Sequence, residues 1–109
     1  MDYKFFPDLA AEVNIPQDGI LSRVLYTDDH VRVVIFGFAA GQELTEHTSK
    51  MPALLHVLSG ELKLKLGGKD EMEAKAGTFV HMAPNLAHGL LAKTPCTVLL
   101  TLIKGGAAA

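Results

Sequence analysis

The sequence predicts an all-β domain, a sandwich or a small barrel, with one short helical turn near its N-terminus. Three observations predict it. Glu61 to Leu66 alternates without a break, with Glu61, Lys63 and Lys65 on one side and Leu62, Leu64 and Leu66 on the other. That period of two is the signature of a half-buried strand. Nine or ten such short apolar or alternating runs follow one another over about 85 residues, with turn signals every 8 to 12 residues, roughly the spacing of sandwiches and barrels. Nothing beyond residue 13 keeps a helical period, and no room remains for the crossover helices of a parallel sheet.

The elements follow in order. Asp8 to Val13 forms one or two helical turns after Pro7, bounded by Asn14, Pro16 and Gly19. Strands are expected at Ile20 to Tyr26, Val31 to Ala39, Leu44 to Thr48, Ala53 to Leu58 and Glu61 to Leu66. The turns between them carry Asp28-Asp29, Gly41, Pro52 and Ser59-Gly60. After Gly67-Gly68 come Met72 to Lys75, Thr78 to Met82, His88 to Ala92 and Cys96 to Ile103. Residues 1–104 read as a single domain, and 105–109, two glycines before three alanines from Gly105 on, as a low-complexity tail.

Composition narrows the function classes. The chain has 109 residues, 49% of them apolar and 20% charged, so a packed core is expected. The formal charge is −2 and no basic block exists, which argues against a nucleic-acid partner. Cys96 is the only cysteine, which leaves no intrachain disulfide and no paired-cysteine zinc site. A lone thiol suits a reducing compartment, and a cytoplasmic location is expected. The first 13 residues hold Asp2, Lys4, Asp8 and Glu12 and no apolar core of a secretory signal. Val33 to Ala40 and Val98 to Ile103 fall far short of the roughly 20 residues of a membrane helix.

Two strands are apolar on both faces. Val33-Val34-Ile35-Phe36 and Val98-Leu99-Leu100 leave no polar side for solvent. A second copy of the chain would cover the outer face, which makes a homodimer the expectation. The N-terminal segment Tyr3 to Ile15 is the other cover available.

Four of the five histidines, His47, His56, His81 and His88, lie between positions 47 and 88. Imidazole is the commonest metal ligand and general acid–base group. His30, beside Asp28-Asp29, reads as a solvated turn residue. Cys96, opening an apolar strand after Pro95, reads as a small buried hydrophobe.

Two frames surround the histidines. The first runs Gly41, five residues, His47, one residue, Ser49, three residues, Ala53, six residues, Gly60. The second runs Gly77, then Pro84, Asn85 and His88, eleven residues after the glycine. Here the chain resembles the cupin family, above all its small RmlC-like members with a single barrel. The family's first motif is Gly, five residues, His, any, His, three or four residues, Glu, six residues, Gly. Its second is Gly, five residues, Pro, any, Gly, two residues, His. Gly41, His47, Gly60, Gly77 and His88 match, over roughly residues 31 to 103. Ala83 replaces the proline, and Asn85 replaces a glycine, which suits a left-handed backbone. The resemblance implies a double-stranded β-helix, or jelly-roll, barrel, with motifs at 41–60 and 77–92.

The family's four ligands would fall at 47, 49, 53 and 88. Ser49 and Ala53 replace a histidine and a glutamate. Residues 47, 49 and 53 share parity, so on extended chain they face one side, and Glu43 shares that parity. His56 has the opposite parity to Ala53. Two alternatives follow. In one, His47 and His88 with His81, His56 or Glu43 hold one divalent ion: iron, manganese, nickel or zinc. In the other the metal is lost and the barrel mouth is a pocket for a small molecule, lined by Ser49, Met51, Ala53, Met82 and Asn85. The first implies dioxygenase, isomerase or decarboxylase chemistry on a small organic substrate. The second implies a sensor or carrier, or a barrel that serves a partner protein.

Overall fold

The computed structural model describes residues 2–105; the expected tail lies, beyond Gly105, outside the described residues. A 3-10 turn spans Leu9–Glu12, closed by the Ala11 N–H donating to the Asp8 carbonyl at 3.1 Å. Among the described residues nine strands follow: β1 (Ile20–Thr27), β2 (Val31–Phe38), β3 (Glu43–His47), β4 (Ala53–Ser59), β5 (Glu61–Leu66), β6 (Asp70–Lys75), β7 (Phe79–Met82), β8 (His88–Ala92) and β9 (Cys96–Ile103). They build a five-stranded sheet, β1-β2-β9-β4-β7, and a four-stranded sheet, β3-β8-β5-β6. Every pairing is antiparallel. This is the jelly roll that the resemblance implies, within the sandwich-or-barrel class that the turn spacing predicts.

The alternation in β5 sets the four-stranded sheet. Leu62 and Leu64 face the core at 0% and 3% exposure, while Lys63 and Lys65 face out toward Glu71 and Glu43. Across β8 the same inward row continues through Leu62–Ala92, Leu64–Leu90 and Leu66–His88. The five-stranded sheet answers with Phe38, Ala53, Leu55, Val57, Met82 and Val98. Each fully buried Leu, Val, Phe or Met among them contributes about 1.5–3 kcal/mol relative to exposure. β6 starts at Asp70, two residues before its first apolar residue, because the hairpin register pairs Asp70 with Leu66.

The outer face of the five-stranded sheet explains the two-sided apolar strands. Ile35 lies on that face opposite Leu99, yet it is fully buried. The N-terminal segment covers it. At Gly37, two residues along the same face, a Cβ would lie 3.1 Å from the Asn14 carbonyl oxygen and 3.2 Å from the Ile15 Cα. The 3-10 turn packs against β4, and Arg23 holds Glu12 by an ion pair of 3.1 Å and a 3.0 Å bond to its carbonyl. Of the two covers open to the sequence, the N-terminal segment is therefore the one seated over Ile35 and Gly37.

Two turns fix the strand ends. At Gly60, between β4 and β5, φ is +84°, and a Cβ would run into the Pro95 carbonyl and the Cys96 side chain. At the β1–β2 turn one Asp28 carboxylate oxygen accepts from the Tyr26 hydroxyl at 2.6 Å. The other accepts from the His30 and Val31 N–H groups at 2.7 and 2.8 Å. His30 is exposed there, as its turn position predicts.

Gly60→Ala combines a left-handed backbone cost of about 1–2 kcal/mol with overpacking of about 1–3 kcal/mol. Urea unfolding is expected to show a loss of about 2–5 kcal/mol at unchanged slope. The Tyr26 hydroxyl, then the Val31 and His30 N–H groups, hold the Asp28 carboxyl down at about 2. A depressed acid stabilises the fold above its unfolded pKa and loses that contribution as pH falls through the folded value. Asp28→Asn is therefore less stable than the natural chain at pH 6. Thermal melts should show the difference closing as pH falls from about 4 toward 2.

Candidate functional site

β8 brings His88 to the inner face of the four-stranded sheet. Its register partner on β5 is Leu66, and the residue two on, Leu90, is in the core. His88 is only 9% exposed. His47 ends β3, and its register partner is His88. The two rings sit 4.3 Å apart between centroids, tilted by 57°. Two histidines 41 positions apart in sequence thus meet on one inner wall.

That meeting depends on an irregularity in β3. Glu43 pairs with Leu91 and Leu44 with Leu90, but the next pair is His47 with His88. Thr45 and Glu46 together face the single residue Gly89, so the strand bulges. In a regular ladder side chains alternate, and Leu44 inward would put Glu46 inward and His47 outward. The bulge reverses this. It also corrects the parity argument for Glu43, which lies on the outer face, 3.8 Å from the Lys65 ammonium.

Both rings are anchored alike. His47 Nδ1 lies 3.0 Å from the Thr45 carbonyl oxygen, and His88 Nδ1 lies 2.9 Å from that of Leu86. A carbonyl only accepts, so each Nδ1 carries the proton and donates. In the neutral ring this leaves each Nε2 as a free acceptor. Each bond contributes about 1 kcal/mol net and fixes the ring's orientation.

The loops beside the pair are tied together. The Asn85 N–H donates to the Ser49 carbonyl at 2.7 Å, and the Ser49 hydroxyl accepts from the Met51 N–H at 3.1 Å. Asn85 has φ +66°, the left-handed backbone that its replacement of a glycine predicts. Ala53 and Met82 are register partners, each 2% exposed in the core. In this state they present no surface to a ligand. Ser49, Met51 and Asn85 keep theirs.

The remaining histidines lie elsewhere. His81 pairs with Leu54 and His56 with Phe79, on the outer face of the five-stranded sheet. They share that face as diagonal neighbours, away from the core side to which Ala53, Leu55 and Val57 point. Neither His81 nor His56 joins His47 and His88, which corrects the three-histidine metal alternative. Among the described residues no group of three or more His, Cys, Asp or Glu side chains is placed to hold a metal ion. Cys96 is fully buried, and burial pushes its thiol up to about 11, so it packs rather than reacts.

The sequence profile of the cupin domain matches residues 34–102. The chain belongs to the cupin family. Among solved structures this cupin is similar to a conserved protein of unknown function from Streptococcus pyogenes, at 28% identity and TM-score 0.84. That likeness covers 96% of this chain and 91% of the other. It is similar as well to an RmlC-like cupin from Desulfovibrio desulfuricans, at 26% identity and TM-score 0.81, covering 93% and 96% of the two chains. A cupin 2 conserved barrel domain protein from Leptotrichia buccalis is 30% identical, with TM-score 0.80, over 87% of this cupin and 46% of that longer chain. No curated protein matches this cupin.

Against the family's ligand pattern, the donor set does not fit a four-ligand metal centre. Ser49 spends its hydroxyl in a local turn, and Ala53 has no donor. A hydroxyl is a poor ligand for a transition metal, and two imidazoles alone fall short of the three or four protein ligands that zinc sites use. Gly89, which faces the bulge, stands at no position that either motif specifies. A glycine inside an apolar strand is the one available signal, since it flags a bulge or a close backbone approach.

Proposed function

We propose that this cupin binds a small molecule at the His47–His88 pair and that binding does not depend on the family's metal. The observation that carries the reading is the double Nδ1 anchoring. It leaves Nε2 as the acceptor on each of two rings whose centroids lie 4.3 Å apart, one ring exposed and the other nearly buried. Two adjacent acceptors call for a ligand with donors, such as the hydroxyls of a polyol or the N–H groups of an amine. Ser49, Met51 and Asn85 would form the polar rim. Among the described residues none at the pair stands out as a separate general base, so a sensor or carrier fits better than a catalyst.

One observation favours a second reading. Histidines that bind metal usually donate their other ring N–H to a carbonyl or carboxylate, as both do here. A weak two-histidine site for iron, manganese, nickel or zinc, completed by the small molecule itself, would use the same Nε2 atoms.

Calorimetric titration of chelator-treated protein with a panel of small polyols and amines separates the two. Saturable binding that weakens about tenfold or more in His47→Ala and in His88→Ala supports the metal-free reading, as a lost hydrogen bond of about 1.4 kcal/mol requires. If the panel binds only after one equivalent of a divalent metal is restored, the second reading replaces it. Unchanged affinity in both variants would remove the pair from either account.

A further inference from the structure

We propose that Gly89 is the positioning residue for the imidazole pair, because its missing side chain makes room for the bulge that turns His47 inward. The functional meaning of this role rests on the ligand-binding reading above; the geometry does not.

Gly89 lies between His88 and Leu90, opposite Thr45 and Glu46. Its φ is not among the left-handed values, so its backbone suits any residue. Space is what it supplies. A Cβ at position 89 would stand 2.7 Å from the Leu44 carbonyl oxygen, 3.0 Å from the Glu46 nitrogen and 3.2 Å from the Glu46 Cα. All three are backbone atoms of the bulge, and none can swing aside as a side chain could. Two residues further along β8, Leu91 faces Glu43 in regular register, and there a large side chain is accommodated. The exclusion is therefore local to the two-against-one step.

An alanine at 89 sets the Cβ against the extra residue of β3. The strand relieves the contact by giving up the bulge. In the regular ladder that results, Glu46 stands opposite His88 and His47 turns outward. Gly89 thus decides which side chain, an imidazole or a carboxylate, is the neighbour of His88.

The test reads the ring contact directly and needs no ligand, so a failure of the ligand-binding reading would leave it standing. In the natural chain, NMR should show nuclear Overhauser cross-peaks between the ring protons of His47 and His88. Gly89→Ala should lose them while circular dichroism still reports the β fold. Deleting Glu46 in the Gly89→Ala background removes the surplus residue, puts His47 back opposite His88 in a regular ladder, and should restore the cross-peaks. A general packing role for Gly89 would not be rescued by shortening the opposite strand. Cross-peaks that persist in Gly89→Ala overturn the proposal. If Gly89→Ala does not fold, the deletion variant decides: a folded protein with the cross-peaks supports the proposal, and failure to recover them overturns it.

Discussion

Between Leu44 and His47, β3 holds two residues where β8 holds one. In a structure whose side chains alternate strictly, a single extra residue exchanges inside for outside for everything beyond it. His88 needs no such device, because β8 pairs with β5 in unbroken register and inherits its inward face from the Leu62, Leu64 and Leu66 row. His47 has no comparable support. It sits at the end of a short strand at the edge of the sheet, and only the step opposite Gly89 brings its ring against that of His88. The site is a register effect before it is a chemical one.

Once the rings meet, the backbone finishes the work. Each imidazole gives its Nδ1 proton to the carbonyl two residues before it, Thr45 for His47 and Leu86 for His88. The two anchors are alike although one lies in a strand and the other in a loop. The loop in turn is held by the Asn85 to Ser49 bond, which the left-handed Asn85 makes possible. The position where the family places its second histidine is thus occupied by a residue that fastens one loop to another. Its contribution is mechanical where the family's would be coordinating. The chain keeps the family's barrel, and of the four ligand positions that the resemblance implies, 47 and 88 carry imidazoles while 49 and 53 carry a serine and an alanine.

Much of this could be read from residues alone. The Glu61 to Leu66 alternation places β5, and the glycine and aspartate turns place its neighbours. Asn85 in a glycine position signals a left-handed backbone, and φ there is +66°. The opposite parity of His56 and Ala53 is kept in β4, where the two lie on opposite faces. What could not be read is register. Parity along residues 43 to 53 assumes one continuous extended strand. The chain instead bulges at Thr45-Glu46, leaves the four-stranded sheet after His47 and enters the five-stranded sheet at Ala53. Glu43 consequently faces out while His47 faces in. Ala53 faces in because of its own sheet, not because of its spacing from His47. The cover over Ile35 was equally open, since a local segment and a second copy bury an apolar strand by the same physics.

Both rings of the pair hold their proton on Nδ1, which leaves each Nε2 as an acceptor. Long-range proton–nitrogen correlation spectra of the histidine side chains, recorded where the imidazoles are neutral, decide this. His47 and His88 should both show the Nδ1–H tautomer, while exposed His30 shows the mixture typical of a free ring. An Nε2–H form at either position, or free exchange between the two forms, would contradict the account.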